Sequence, residues 1–251
     1  MPLTIEKNIK LYQSGFSLIE LAVVLVIIGV LVGSFIGTLG SRIDTARQIE
    51  TKEKLEQIKL SLYGYAMSRL NPPGVTRLPC PDVDNDGIED LVAPGLTQCV
   101  ALTTYGNLPW ATLGIERGDA WSSTFSYWVA DEYSNTAGFT LATDASGTGQ
   151  IRNSAPAGNV ISSNVAAVIF SHGKNQLGSI GFDNVARSTV PAVGAQYADE
   201  RENTDIDAVA PVLFVDRPIT SDDAPIIYDD ILTWISEFEL KGVMVQAGAL
   251  P

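Results

Sequence analysis

The chain has 251 residues, of which 45% are hydrophobic and 18% are charged. This composition excludes an intrinsically disordered protein and provides enough apolar residues for one sizeable domain with an appendage. Residues 71–251 contain eight basic and twenty-three acidic residues. A region with this charge repels phosphate backbones, which argues against nucleic acid as a partner.

The N-terminal fifteen residues lack the apolar core of an ordinary secretory signal. From Leu21 to Gly40 the chain then carries no charge. As a helix, this run would extend about 30 Å, which matches the hydrocarbon core of a bilayer. The sequence therefore predicts one membrane span over about residues 16–40. Lys7 and Lys10 precede the span and place the short N-terminal piece in the cytoplasm.

Glu20 lies at the start of this apolar run, where an unpaired carboxylate costs several kcal/mol. A cleavable signal of the ordinary kind or a plain membrane anchor leaves this residue unexplained. Gly15, Phe16, the segment SLIE that ends at Glu20, and the uncharged run after it form a distinctive pattern. Over roughly residues 8–45, this pattern resembles the class III signal of type IV prepilins and type II secretion pseudopilins.

The resemblance implies that residues 1–15 are a leader peptide, which a membrane prepilin peptidase removes after Gly15 before it N-methylates Phe16. It also implies that the amine of Phe16 pairs with Glu20 of a neighbouring subunit as helices stack in a filament. The implied partners are the peptidase, other pilin or pseudopilin subunits, an inner-membrane assembly platform and membrane lipid. The implied location is the bacterial inner membrane, single-pass with the head in the periplasm, and then a pilus or pseudopilus filament that can reach the cell surface.

The helix is expected to continue beyond the membrane, because no proline occurs between Pro2 and Pro72. Apolar residues recur near helical spacing among charged ones between residues 41 and 70, which predicts an amphipathic half. The predicted stripe consists of Ile43, Ile49, Leu55, Ile58, Leu62 and Tyr65. The segment NPPG at residues 71–74 is expected to end the helix, which gives a long helix over residues 16–70.

Residues 71–251 are predicted to form one globular head of strands and loops. Strands are expected at residues 124–130, 138–142, 165–170 and 211–216, with clusters of Gly, Ser, Asn and Asp between them. The predicted fold class is α+β, with a mainly antiparallel sheet laid across the amphipathic half of the long helix. The family resemblance implies that this arrangement is pilin-like.

An acidic loop, CPDVDNDGIED, follows the helix at residues 80–90. Its oxygen ligands alternate as in an EF-hand and favour calcium. The predicted ligands are the side chains of Asp82, Asp84, Asp86 and Asp90 and the carbonyl of Ile88. The twelfth position is Ala93 instead of glutamate, so the loop is not a complete EF-hand and needs a ligand from elsewhere. A solvated acidic turn is the alternative.

Cys80 and Cys99 are the two cysteines of the chain and permit one intrachain disulfide. An exported head favours this disulfide, which would close around the acidic loop. Free or metal-bound cysteines are the alternatives. Two thiols with one distant histidine, His172, make a poor zinc site.

The sequence contains no pattern that predicts an enzyme. His172 is the one histidine, and its neighbour Ser171 is not placed as a nucleophile by adjacency alone. Asp229 and Asp230 are interpreted as the first turn of a C-terminal helix, where acidic residues suit the helix dipole. The buried side of that helix is predicted to contain Ile231, Trp234, Ile235 and Phe238.

The predicted function is that of a structural subunit, minor or priming, of a type IV pilus or type II secretion pseudopilus. The head of 181 residues exceeds the compact head of a major subunit in this family. A filament-tip binding module, such as an adhesin or a DNA-uptake pilin, is the alternative. The absence of a basic run makes DNA uptake the weaker form of this alternative.

Overall fold

The computed structural model describes residues 15–68, 74–92, 99, 105–135, 137–145, 147–206, 211–220 and 224–250, without the side chains of 34–39. Most of the predicted leader and the predicted helix stop at residues 71–73 lie outside these ranges. The described chain is α+β, with a long N-terminal helix and an antiparallel sheet, as predicted. It divides into two units, Met1–Thr45 and Ala46–Pro251.

The helices and strands are numbered here in chain order. The helices are α1 (Leu18–Ser68), α2 (Trp110–Leu113), α3 (Asp131–Ser134), α4 (Ala198–Thr204) and α5 (Glu237–Gln246), and a short 3-10 helix (Ala195–Tyr197) precedes α4. The strands are β1 (Tyr105–Asn107), β2 (Ser126–Val129), β3 (Gly149–Arg152), β4 (Val160–Ser162), β5 (Val165–Ser171), β6 (Val212–Val215) and β7 (Ile231–Ser236).

The first half of α1 is apolar and exposed around its circumference. Every described side chain from Gly15 to Val32 is exposed. Among the described residues, the structure contains no helix with the length and apolarity needed to cross a membrane. The span predicted for residues 16–40 therefore stays a prediction.

The second half of α1 contributes a narrow apolar stripe to the head. Leu55, Ile58 and Leu62 are at most 2% exposed and belong to the same buried cluster as the sheet residues. Ile43 and Ile49 are more than half exposed, so their assignment to the stripe was wrong. Ile49 lies six residues before Leu55, about 240° around the helix, whereas the buried Thr51 lies four residues before it.

A four-stranded antiparallel sheet forms the centre of the head, in the order β1–β2–β5–β7. All residues of β2 and β5 are buried, as expected for central strands that are covered on both faces. A second sheet has the order β4–β3–β6, and β3 pairs with β6 in parallel. Phe214 of β6 packs against Trp128 of β2, with ring centroids 5.6 Å apart, so the two sheets share one core.

The C-terminal segment differs from its prediction. Residues 231–236 form β7 instead of the first turns of a helix, and Phe238 is 71% exposed. The segment ILTWIS alternates between buried and half-buried residues with the period of a strand. Helix α5 begins only at Glu237, where the Ser236 hydroxyl accepts a hydrogen bond from the amide of Glu239. Residues 138–142, predicted as a strand, form a loop with a turn at residues 141–142.

Candidate functional site

The predicted cleavage site lies immediately before the start of α1 and is open. Phe16 is 84% exposed. A side chain built at Gly15 would meet no described atom within 4 Å. The described part of the chain therefore does not cover the bond between these two residues, and its packing does not demand glycine at position 15.

Glu20 has a local role that the sequence interpretation did not include. Its carboxylate accepts hydrogen bonds from the amide and hydroxyl of Ser17, at 3.1 and 3.3 Å. The Ser17 hydroxyl accepts in return from the amide of Glu20, at 3.2 Å. This reciprocal pair is a capping box, which satisfies amides that the first helical turn leaves unpaired. The spacing Ser-x-x-Glu before an apolar run was the available signal.

An extended apolar surface follows the cap. Thirteen large apolar side chains from Phe16 to Val32 are each at least 47% exposed. Soluble monomers rarely expose a continuous apolar surface of this size, and such surfaces mark contacts with lipid or with other proteins. The predicted cleavage site, the cap and this surface are therefore the candidate region for processing and assembly.

The acidic loop is folded around its own carboxylates. Both oxygens of Asp82 accept backbone hydrogen bonds, from Asn85 at 2.7 Å and from Gly87 at 2.8 Å. One oxygen of Asp90 accepts from the amides of Val83 and Asp84. Burial raises the pKa of the Asp82 carboxyl, although these backbone donors act in the opposite direction.

The structure brings together part of the predicted calcium ligand set. Carboxylate oxygens of Asp82, Asp84 and Asp90 lie within 4.8 Å of one another, a spacing that one cation can bridge. Asp86 is outside this group, and its carboxylate accepts the amide of Ile88 at 2.7 Å. Backbone amides also donate to carboxylate oxygens of all three residues, and calcium binding here stays a prediction.

The predicted disulfide is present between Cys80 and Cys99, whose Cα atoms are 5.3 Å apart. Next to it, Arg77 and Glu89 form a buried ion pair at 2.9 Å. The Glu89 carboxylate also accepts the amide of Cys80 at 3.1 Å and the hydroxyl of Tyr65 on α1 at 2.7 Å. One carboxylate therefore connects the disulfide loop to the long helix.

His172 is fully buried at the end of β5, and its Nε2 lies 2.7 Å from the hydroxyl of Ser126. The adjacent Ser171 hydroxyl donates to the carboxylate of Asp119 at 2.6 Å instead of contacting the histidine. Asp119 also accepts the amides of Trp121 and Ser123. Ser171 and Asp119 therefore hold the turn after α2 against the sheet.

Burial lowers the pKa of His172 from 6.5 to about 4. The folded state therefore favours the neutral ring. The free energy of unfolding is not reduced by His172 above pH 6.5, and it decreases as the pH falls from 6.5 towards 4. Between pH 7 and pH 5 we expect the wild type to lose on the order of 2 kcal/mol more than His172→Gln. Denaturant unfolding of both proteins at each pH measures this difference. If both proteins lose the same free energy of unfolding, His172 does not have a lowered pKa in the folded state.

One family description, the prokaryotic N-terminal methylation motif, matches residues 10–36. The chain has no significant match among curated proteins or among solved structures. The matched residues contain the open bond after Gly15, the capped Glu20 and all thirteen side chains of the apolar surface. The chain therefore carries the class III prepilin signal of type IV pilins and pseudopilins.

Proposed function

We propose that this chain is a structural subunit, minor or priming, of a type IV pilus or a type II secretion pseudopilus. In this proposal, prepilin peptidase removes the leader, and the subunit enters the filament from the inner membrane through α1. The methylation motif at residues 10–36 carries the proposal. The exposed position of Gly15 and Phe16 supports it, because the peptidase must reach the bond between them.

The exposed half of α1 supports assembly through this helix. Burial of one large apolar side chain away from water is favourable by about 1.5–3 kcal/mol. Thirteen exposed side chains therefore strongly favour transfer of this half of the helix to an apolar environment. Lipid covers this surface before assembly, and the helices of neighbouring subunits cover it in the filament. The uncharged run from Leu21 to Gly40 has the length that a bilayer requires.

The size of the head supports a minor or priming role. Residues 71–251 number 181, more than the compact head of a major subunit in the family that the chain resembles, and their described part contains two sheets. Among the described residues of the head, the buried Ser171, His172 and Asp119 make structural contacts with their neighbours. The proposed activity is therefore assembly.

Filament fractionation tests the proposed function. Sheared surface filaments, or the periplasmic fraction for a pseudopilus, should contain the mature chain at a low copy number relative to the major subunit. Deletion of the gene should reduce filament number or protein secretion. Gold labelling only at filament tips would favour the binding-module alternative. Absence from filaments, together with normal filaments and secretion in the deletion strain, would overturn the proposal.

The calcium prediction for the acidic loop has its own test. If Asp84 and Asp90 bind calcium, the full chain in detergent should bind one calcium more than Asp84→Asn combined with Asp90→Asn. Calcium at a hundred times its Kd would add about 2.7 kcal/mol to the free energy of unfolding. Equal calcium content in the two proteins would show a plain acidic turn.

A further inference from the structure

A second group of carboxylates lies between α4 and the start of β7. Glu200 on α4 is 1% exposed, and Asp230, directly before β7, is 3% exposed. Carboxylate oxygens of Glu200, Asp229 and Asp230 all lie within 4.8 Å of one another. Three acidic groups packed together inside a protein repel one another unless a proton or a cation separates them.

One oxygen of Glu200 points to a ligand. Its Oε1 accepts hydrogen bonds from the side-chain amide of Asn175 at 2.9 Å and from the amide of Asp229 at 3.1 Å. Its Oε2 is buried and has no hydrogen-bond donor among the residues that the structure describes. A buried oxygen without a donor costs about 1–3 kcal/mol, and more when it is charged. This cost is absent when the oxygen binds a cation.

The other two carboxylates are held in place by amide donors. Asp229 accepts the backbone amide of Asn175 at 2.7 Å, and Asp230 accepts the side-chain amide of Asn203 at 2.7 Å. Asn203 is itself fixed by two hydrogen bonds to the backbone of Val215 in β6. Donors of this kind orient ligands before an ion arrives.

The loop after β5 closes tightly over the group. Gly173 has a positive φ of 59°, and a side chain there would clash with the carbonyl of Asp229. Only glycine allows this approach, which brings the two donors of Asn175 to the carboxylates. The three carboxylates are therefore buried and held in fixed positions, unlike acidic side chains on a solvated surface.

We propose that Glu200, Asp229 and Asp230 bind one divalent cation, and that this cation is calcium. Two ligands of one calcium ion, each at about 2.4 Å, are at most about 4.8 Å apart, so the three oxygens are close enough to share one ion. The group contains only oxygen ligands, which calcium prefers to the nitrogen and sulfur ligands of zinc or copper. Asp230 also lines a cavity of about 500 Å³, through which water can complete the coordination.

This site differs from the acidic loop at residues 82–90. In that loop, both oxygens of Asp82 already accept backbone amides. At the buried site, the Oε2 atom of Glu200 lacks a donor within the described chain. The proposal is also independent of filament assembly, because it concerns the stability of the head alone.

The test uses the full chain in detergent micelles, with calcium alone as the ligand, and compares wild type with Glu200→Gln. The variant keeps the shape of the side chain and removes its charge. Metal analysis should show one calcium fewer per chain in Glu200→Gln. Calcium at about a hundred times its Kd should raise the wild-type melting temperature above its value in chelator. Binding at this site alone should account for about 5–10 °C of the increase.

Two controls make the result specific. In chelator, Glu200→Gln should melt at the same temperature as wild type or higher, because it lacks the repulsion between Glu200 and the two neighbouring carboxylates. This result would also show that the variant folds. Asp84→Asn combined with Asp90→Asn should keep the calcium that Glu200→Gln loses. Equal calcium content in wild type and Glu200→Gln would overturn the proposal, as would a wild-type melting temperature that calcium does not change. In either case the carboxylates share protons instead.

Discussion

Replacement of Arg77 with methionine should destabilise the head by about 3–5 kcal/mol. Arg77 is 1% exposed, and its guanidinium forms an ion pair with Glu89 at 2.9 Å and donates to the carbonyl of Leu78 at 3.0 Å. It also stacks on the ring of Tyr65, with its Cζ atom 5.6 Å from the ring centre. Methionine fills much of the same volume but leaves the carboxylate of Glu89 buried without its cation.

The double variant Arg77→Met with Glu89→Gln is the matched control. The oxygen of glutamine can accept the amide of Cys80, and its NH2 group can donate to the hydroxyl oxygen of Tyr65, so glutamine keeps both partners and removes the uncompensated charge. The double variant should therefore be more stable than Arg77→Met alone. Denaturant unfolding of the oxidised proteins measures both. A double variant that is less stable than Arg77→Met would show that packing, and not charge, is the larger contribution.

Replacement of Glu20 should prevent efficient assembly, and the choice of substitution separates its two roles. Glu20→Leu removes both the capping interaction with Ser17 and the negative charge. Glu20→Gln keeps the capping box, in which glutamine serves as well as glutamate, and removes only the charge. If the charge pairs with the amine of Phe16 on a neighbouring subunit, both variants should be lost from filaments.

Quantitative blots of sheared filaments, normalised to the membrane pool, measure incorporation of each variant. Ser17→Ala is the control, because it loses the hydroxyl partner of the cap but keeps the charge of Glu20. We expect Ser17→Ala to enter filaments nearly as well as wild type and to lose only about 1 kcal/mol of helix stability. Normal incorporation of Glu20→Gln would reject intersubunit pairing and leave capping as the role of this residue.

The long helix was predictable because its determinants are local. An absence of proline between residues 2 and 72 and an apolar repeat near 3.6 residues require no knowledge of the rest of the fold. The phase of the stripe was not predictable, since the polar Thr51 occupies a buried position that the apolar Ile49 was expected to take. Thr51 is buried because its hydroxyl accepts the amide of Ala120, a residue far away in the chain.

The buried carboxylate group was not predictable from the sequence. Glu200 and Asp229 are separated by 29 positions and meet only because the fold brings α4 next to the residues that precede β7. Asp229 and Asp230 alone resembled the first turn of a helix, where acids are common. The alternation in ILTWIS and the Ser236–Glu239 spacing were the local signals for a strand followed by a capped helix.

The mass of the mature N-terminus shows whether the chain is processed as a prepilin. We expect the chain from membranes or filaments to begin at Phe16 and to carry one added methyl group. Gly15→Ala should retain the leader, and since a side chain at Gly15 meets no described atom within 4 Å, this effect would arise at the peptidase. A wild-type chain that begins at any residue other than Phe16 would contradict the account.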